Sequence, residues 1–195
     1  MSEKFLRTVI DDIPVEKFGL ILPHEHIFTD LRGPDVPDYA QADPNQVAAT
    51  MIPFLRDAEQ AGVAAMVECS TIGVGRNIEI LTEIAKHTQI HLIAPTGIYK
   101  ESFTPAIYKS STIDELAELW IIELTDGIGI TENKAGFIKI AVSDDGPTAL
   151  ERRNIKAAVR ASQATGAVIA SHTIVGSAAL VELSLLEEQG LALDK

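Results

Sequence analysis

Gly19-Leu20-Ile21-Leu22-Pro23-His24-Glu25-His26 is a short apolar run that ends in two histidines. It is too short for a buried helix and shows no strict polar alternation, so it reads as a strand covered on both faces. Four further runs share that character, at 63–69, 91–95, 136–142 and 167–171. Between and after them, apolar residues recur every three or four positions over 45–61, 77–86, 113–124, 148–165 and 177–189, the period of amphipathic helices. Asp43-Pro44 starts the first helix, and Gly62, Gly166 and Gly190 stop the first, fourth and fifth. Pro53 is expected to kink or split the first. Strand and helix alternating five times indicate βαβ units and an α/β fold with a parallel sheet. The strand starts lie about 37 residues apart, a pitch at which eight units would need roughly 300 residues. The chain is thus either a complete open five-stranded sheet or the first part of a barrel.

Composition narrows the partners. In 195 residues there are 28 acidic and 16 basic side chains, a formal net charge of −12. Nucleic acid and anionic membrane both call for clustered Lys and Arg, so neither is expected as a partner. A 46% apolar content is enough for a core and excludes a disordered chain. Cys69 is the single cysteine and no apolar stretch reaches membrane-span length, which together suggest a cytoplasmic protein folded as one domain over 1–195.

The strand ends carry the chemistry. On a strand, His24 and His26 share a face while Glu25 points away. Residues two apart lie about 6.5 Å apart along the backbone, so two imidazoles there can converge on a divalent cation such as zinc, or simply leave the strand for solvent. Lys139 stands in the middle of an otherwise apolar run, Gly136-Phe137-Ile138-Lys139-Ile140-Ala141-Val142. A buried ammonium there requires a role: base or Schiff-base chemistry at depressed pKa, capture of carbon dioxide, or a head group that reaches out past the strand end. His172 closes the fifth run at the carboxyl end, the edge where α/β folds gather catalytic groups. His87 and His91 sit at the opposite end and read as structural or surface residues. No Gly-x-Gly-x-x-Gly or P-loop cradle is present.

Taken in order, these stretches resemble the phosphotriesterase family of the amidohydrolase superfamily. Gly19 to His26 resembles that family's first strand, and Glu68-Cys69-Ser70-Thr71 with Gly75-Arg76 its second strand and loop. Ala94-Pro95-Thr96-Gly97-Ile98-Tyr99 is similar to the third, Gly136-Phe137-Ile138-Lys139 to the strand with a carboxylated lysine, and Ser171-His172-Thr173 to the fifth-strand histidine. The resemblance implies a TIM-type (β/α)8 barrel with two divalent metal ions, commonly zinc, with cobalt, manganese or iron as alternatives. By it, His24 and His26 bind the buried ion, carboxylated Lys139 bridges both, and His172 binds the exposed one. It further implies that a hydroxide held between the ions attacks a lactone, carboxylic ester or phosphotriester. Tyr99 falls where lactonase-type members carry a substrate-facing tyrosine, although it could simply pack at the strand end.

Two ligands that the family draws from its sixth and eighth strands have no match here. The sequence ends at Leu193-Asp194-Lys195, and Asp194 follows the fifth helix too closely to replace them. The expectation is a barrel of about five units, holding at most one ion tightly and inactive by itself. It would associate with a second copy or a carboxyl-terminal complement. The alternative is a non-catalytic open-sheet domain that binds a small ligand. Glu68 stands in place of an expected aspartate and reads as a supporting residue; Cys69 reads as a small buried hydrophobe.

Overall fold

A computed structural model describes residues 4–192, so Leu193, Asp194 and Lys195 lie outside the described residues. The chain opens with an antiparallel hairpin, β1 (Phe5–Arg7) and β2 (Asp12–Pro14), which nothing in the periodicity announces. Then come β3 (Leu20–Glu25), α1 (Pro44–Gln60), β4 (Val63–Glu68), α2 (Ile78–Ala85), β5 (His91–Ile93) and β6 (Pro95–Thr96). The order continues with the short α3 (Ala106–Lys109), α4 (Ile113–Thr125), β7 (Phe137–Ala141), α5 (Ala149–Thr165), β8 (Ile169–His172) and α6 (Gly176–Glu188).

Every strand after the hairpin pairs in parallel, in the orders β3-β4-β5 and β6-β7-β8. β5 and β6 are two halves of the third strand, parted at Ala94: the first half pairs with β4 and the second with β7. That hand-over is the stagger a closing barrel requires. The strands also follow chain order without reversal, whereas an open doubly wound sheet has a switch point. The architecture is therefore five successive βα units of a TIM-type barrel, not an open sheet.

Period-two alternation sorts the side chains. Ile138 and Ile140 on β7 enter the large cluster beneath the helices, with Trp120, Ile80, Ile84, Leu116 and Ile155. Phe137 faces the other way, into a small inner cluster with Cys69 and Ile93, against which Val67 and Ala170 pack. Lys139, two residues beyond Phe137, and His172, two beyond Ala170, share that inner face. Chain backbones come close there: a Cβ on Gly97 (φ +105°) would sit 2.0 Å from the Lys139 carbonyl oxygen, so this position demands glycine.

α1 runs unbroken through Pro53, contrary to the expected split. Pro53 and Ala49, whose carbonyl the proline leaves unpaired, both lie on the solvent face, where water accepts that role, while Ala48 and Leu55 anchor the opposite face. No described helix is long and apolar enough to cross a membrane. Beside β8, Val168, Ile174 and Leu180 are exposed.

Candidate functional site

β3 bends where the site begins. Its register against β4 steps from Leu22↔Met66 to Glu25↔Glu68, three residues against two, which is a bulge at Pro23-His24. Proline is tolerated because, among the described residues, this strand is paired on one side only. Beyond the bulge the Nε2 atoms of His24 and His26 approach to 3.3 Å, with ring centroids 5.2 Å apart. Nδ1 of His26 lies 3.0 Å from the Ser70 hydroxyl. The Ser70 N–H donates to Glu68 Oε1 at 2.8 Å and the Ile27 N–H to Oε2 at 2.5 Å. Glu68, buried, thus ties the ends of β3 and β4 together beneath His26, the supporting role expected of it. Burial pushes its carboxyl above the usual range, and those hydrogen bonds partly oppose the shift.

Lys139 is only 2% exposed, and no hydrogen bond or ion pair reaches its Nζ among the described residues. Burial pushes its ammonium down, while the nearby Cys69 and Glu182 pull the other way. Burial also lowers all three imidazoles, and the Lys139 charge lowers each further. Lys139 is therefore within electrostatic reach of His24, His26 and His172. The imidazoles are held neutral at pH 7, the form in which histidine ligates metals. Among the described residues no three His, Cys, Asp or Glu side chains alone form a metal-holding group; a closer set needs Lys139.

His172 packs its ring against that of Tyr99, the two planes tilted by 56°. Their ring centroids lie 5.1 Å apart, and Phe103 meets Tyr99 edge-on at 5.6 Å. Tyr99 is half-buried, and burial raises its phenol, so it stays a hydrogen-bond donor at neutral pH. Cys69 is buried with its thiol pushed up, an apolar neighbour with little thiolate character. His87 pairs with Glu83 at 3.0 Å and His91 lies edge-on to Phe18, both away from the site, as expected.

Three polar residues near the site make contacts that the motifs do not reveal: Ser70 and Arg76 stand in the second-strand resemblance without a role, and Glu151 lies outside it. Arg76 forms a two-pronged pair with buried Glu123 at 2.6 and 2.7 Å and reaches the Pro95 carbonyl, joining the loop after β4 to β6. Glu151 accepts bonds from two separate loops. The spacing Thr148-x-x-Glu151 is a capping-box signal that could have drawn attention to it.

Parallel βα units, with three imidazoles at strand ends and a buried lysine within β7, define the class as a TIM-type α/β barrel. Residues 4–195 match the phosphotriesterase family along their whole length, and the chain belongs to that family. It is 32% identical over 184 residues to an aryldialkylphosphatase of Saccharolobus solfataricus, covering 93% of this chain and 58% of that protein. It is likewise 32% identical to the phosphotriesterase homology protein of Escherichia coli, covering 91% and 60%. A phospho-furanose lactonase of Mycoplasmopsis synoviae is 29% identical, covering 92% and 55%. A solved structure described as "Molecular Engineering of Organophosphate Hydrolysis Activity from a Weak Promiscuous Lactonase Template" superposes with a TM-score of 0.87 at 27% identity, over 97% of this chain and 61% of that one. The chain thus spans about 60% of the length of these relatives.

Proposed function

We propose that this chain carries the metal-ligating core of a divalent-metal hydrolase that opens ester bonds in small molecules: lactones, carboxylic esters or phosphotriesters. His24 and His26 take one ion, His172 takes a second, and Lys139, carboxylated, bridges the two. The observation that carries this reading is the 3.3 Å approach of the two Nε2 atoms. Two nitrogens each about 2.0–2.1 Å from one tetrahedral ion lie about 3.4 Å apart. Zinc is the ion proposed, and cobalt, manganese or iron suit the same donors. When bound, such ions lower the pKa of a water and polarise the substrate oxygen.

The remaining roles belong to the chain. Ser70 accepts the Nδ1–H of His26 and so leaves its Nε2 lone pair free. The neutral amine of Lys139 adds to carbon dioxide: an N–C bond forms, one C–O electron pair moves onto oxygen, and a proton leaves to solvent. A buried cation becomes a carbamate anion that the two ions can balance, which fits its lack of a partner among the described residues. Tyr99 points its phenol at the substrate beside His172. The names of the lactonase and phosphatase relatives support the substrate class. A cytoplasmic setting belongs to the same reading, supported by the free thiol of Cys69.

Zinc titration of the 195-residue chain tests it. The described donors suffice for one tightly held ion, so one equivalent and negligible turnover of paraoxon or a lactone are expected. His24→Ala and Lys139→Ala should each abolish tight binding; unchanged metal content would remove those residues from the site. With ¹³C-bicarbonate, a carbamate resonance should appear and vanish in Lys139→Ala.

A further inference from the structure

Two loops frame the contact between Tyr99 and His172. One follows β6 and carries Tyr99, Lys100 and Glu101; the other follows β7 and carries Ser143 and Asp144. A single buried carboxylate joins them. Glu151, in the first turn of α5, is 0% exposed and accepts four hydrogen bonds. Oε1 accepts from the Ser143 hydroxyl at 2.7 Å and from the Glu101 N–H at 3.1 Å. Oε2 accepts from the Ser143 N–H at 2.9 Å and from the Thr148 N–H at 3.0 Å. Only the Thr148 bond belongs to the capping box of α5. The helix has no use for the other three. No Lys or Arg pairs with Glu151 among the described residues, so its charge is held by N–H and O–H dipoles alone. A second tie, from Lys100 Nζ to Asp144 Oδ1 at 2.9 Å, crosses the same gap but is half in solvent and so contributes little.

We propose that Glu151 is a positioning residue: by gripping the Glu101 N–H and both Ser143 donors, it fixes the β6 loop to the end of β7 and keeps the Tyr99 ring on the His172 imidazole. The proposal deepens the reading that Tyr99 faces substrate. It requires no metal, so it can fail or stand independently of the ligand assignment.

Glu151→Gln tests it in the metal-free chain by NMR. The amide must turn its NH2 toward one pair of donors. The Ser143 hydroxyl can switch to accepting whereas the backbone N–H groups cannot, so the NH2 goes to the Oε1 side and the Glu101 bond is the one lost. Exchange of the Glu101 amide should accelerate about five- to tenfold and the cross-peak between the Tyr99 and His172 rings should weaken, while the Thr148 amide keeps its protection. Glu101→Pro removes the same donor from the other side. Lys100, at φ −57° and ψ 158°, already has the backbone that precedes proline, and Glu101 opens a 3₁₀ turn where proline fits. It should loosen the Tyr99–His172 contact equally and leave Ser143 and Thr148 protected. An undiminished ring contact in folded Glu151→Gln overturns the proposal; should that variant not fold, an undiminished contact in Glu101→Pro does so alone. An unchanged ring contact in His24→Ala keeps this outcome separate from the metal reading.

Discussion

The end of β3 and the middle of β7 solve opposite problems. At β3 the imidazoles of His24 and His26 are exposed, neutral and already braced, one of them by Ser70 above Glu68. At β7 Lys139 is buried, charged in its ordinary form, and has no partner among the described residues. The first arrangement can exist without a ligand at little cost. The second is a strain on the folded state until its charge is changed or matched. The difference teaches which half of the site is preformed and which half awaits chemistry.

The largest expected effect breaks that comparison at β7. Lys139→Met replaces a cation without a partner among the described residues by an apolar chain of similar length, and should stabilise the metal-free protein by about 1–3 kcal/mol in chemical denaturation. His24→Ala or His26→Ala, at an exposed and self-satisfied pair, should move it by no more than about 0.5–1 kcal/mol. A destabilised Lys139→Met would mean that the lysine has a structural partner after all. Next in size is the brace: Ser70→Ala should weaken zinc binding by about 10–100-fold, since the bond that orients the His26 ring is gone. Unchanged affinity would show that the hydroxyl does not orient the ring.

A smaller effect distinguishes the loops from the ligands. Burial works to raise the Glu151 carboxyl, but the Ser143, Thr148 and Glu101 donors outweigh it and hold it below the usual glutamate range. A carboxyl lowered on folding contributes stability that is complete above the unfolded value of about 4.3 and is lost as pH falls through the lower folded value. Unfolding free energy should therefore fall as pH drops below the unfolded value of about 4.3 in the wild type, and the slope should be shallower in Glu151→Gln. Equal slopes would remove Glu151 as the source. The smallest effects belong to the opposite end of the barrel: His87→Ala should change stability by about 0.5 kcal/mol or less and leave zinc binding untouched.

Much of this was legible in the sequence because it depends on local rules. Each parallel strand after the hairpin lies within or beside an apolar run, and Gly166 ends α5 in the left-handed conformation at φ 78°. His24, His26, Lys139 and His172 stand at strand positions whose facing follows from period two. What the sequence hid depends on distant partners. The β1–β2 hairpin is too short to show a period. The break at Ala94 arises because β5 and β6 pair with different strands. The bulge at Pro23-His24, which brings the two imidazoles together, exists only relative to β4. Ser70, Glu123 and Glu151 look like ordinary polar residues until their loops meet. Pro53 leaves α1 whole because its tolerance depends on which face of the helix meets water, a tertiary fact.

One measurement tests the central claim most directly: anomalous diffraction at the zinc edge from crystals of the chain grown with zinc. The account requires a peak between His24 and His26, about 2.0–2.1 Å from each Nε2 atom. A zinc-replete crystal with no peak there, or with its strongest peak on other side chains, would contradict it.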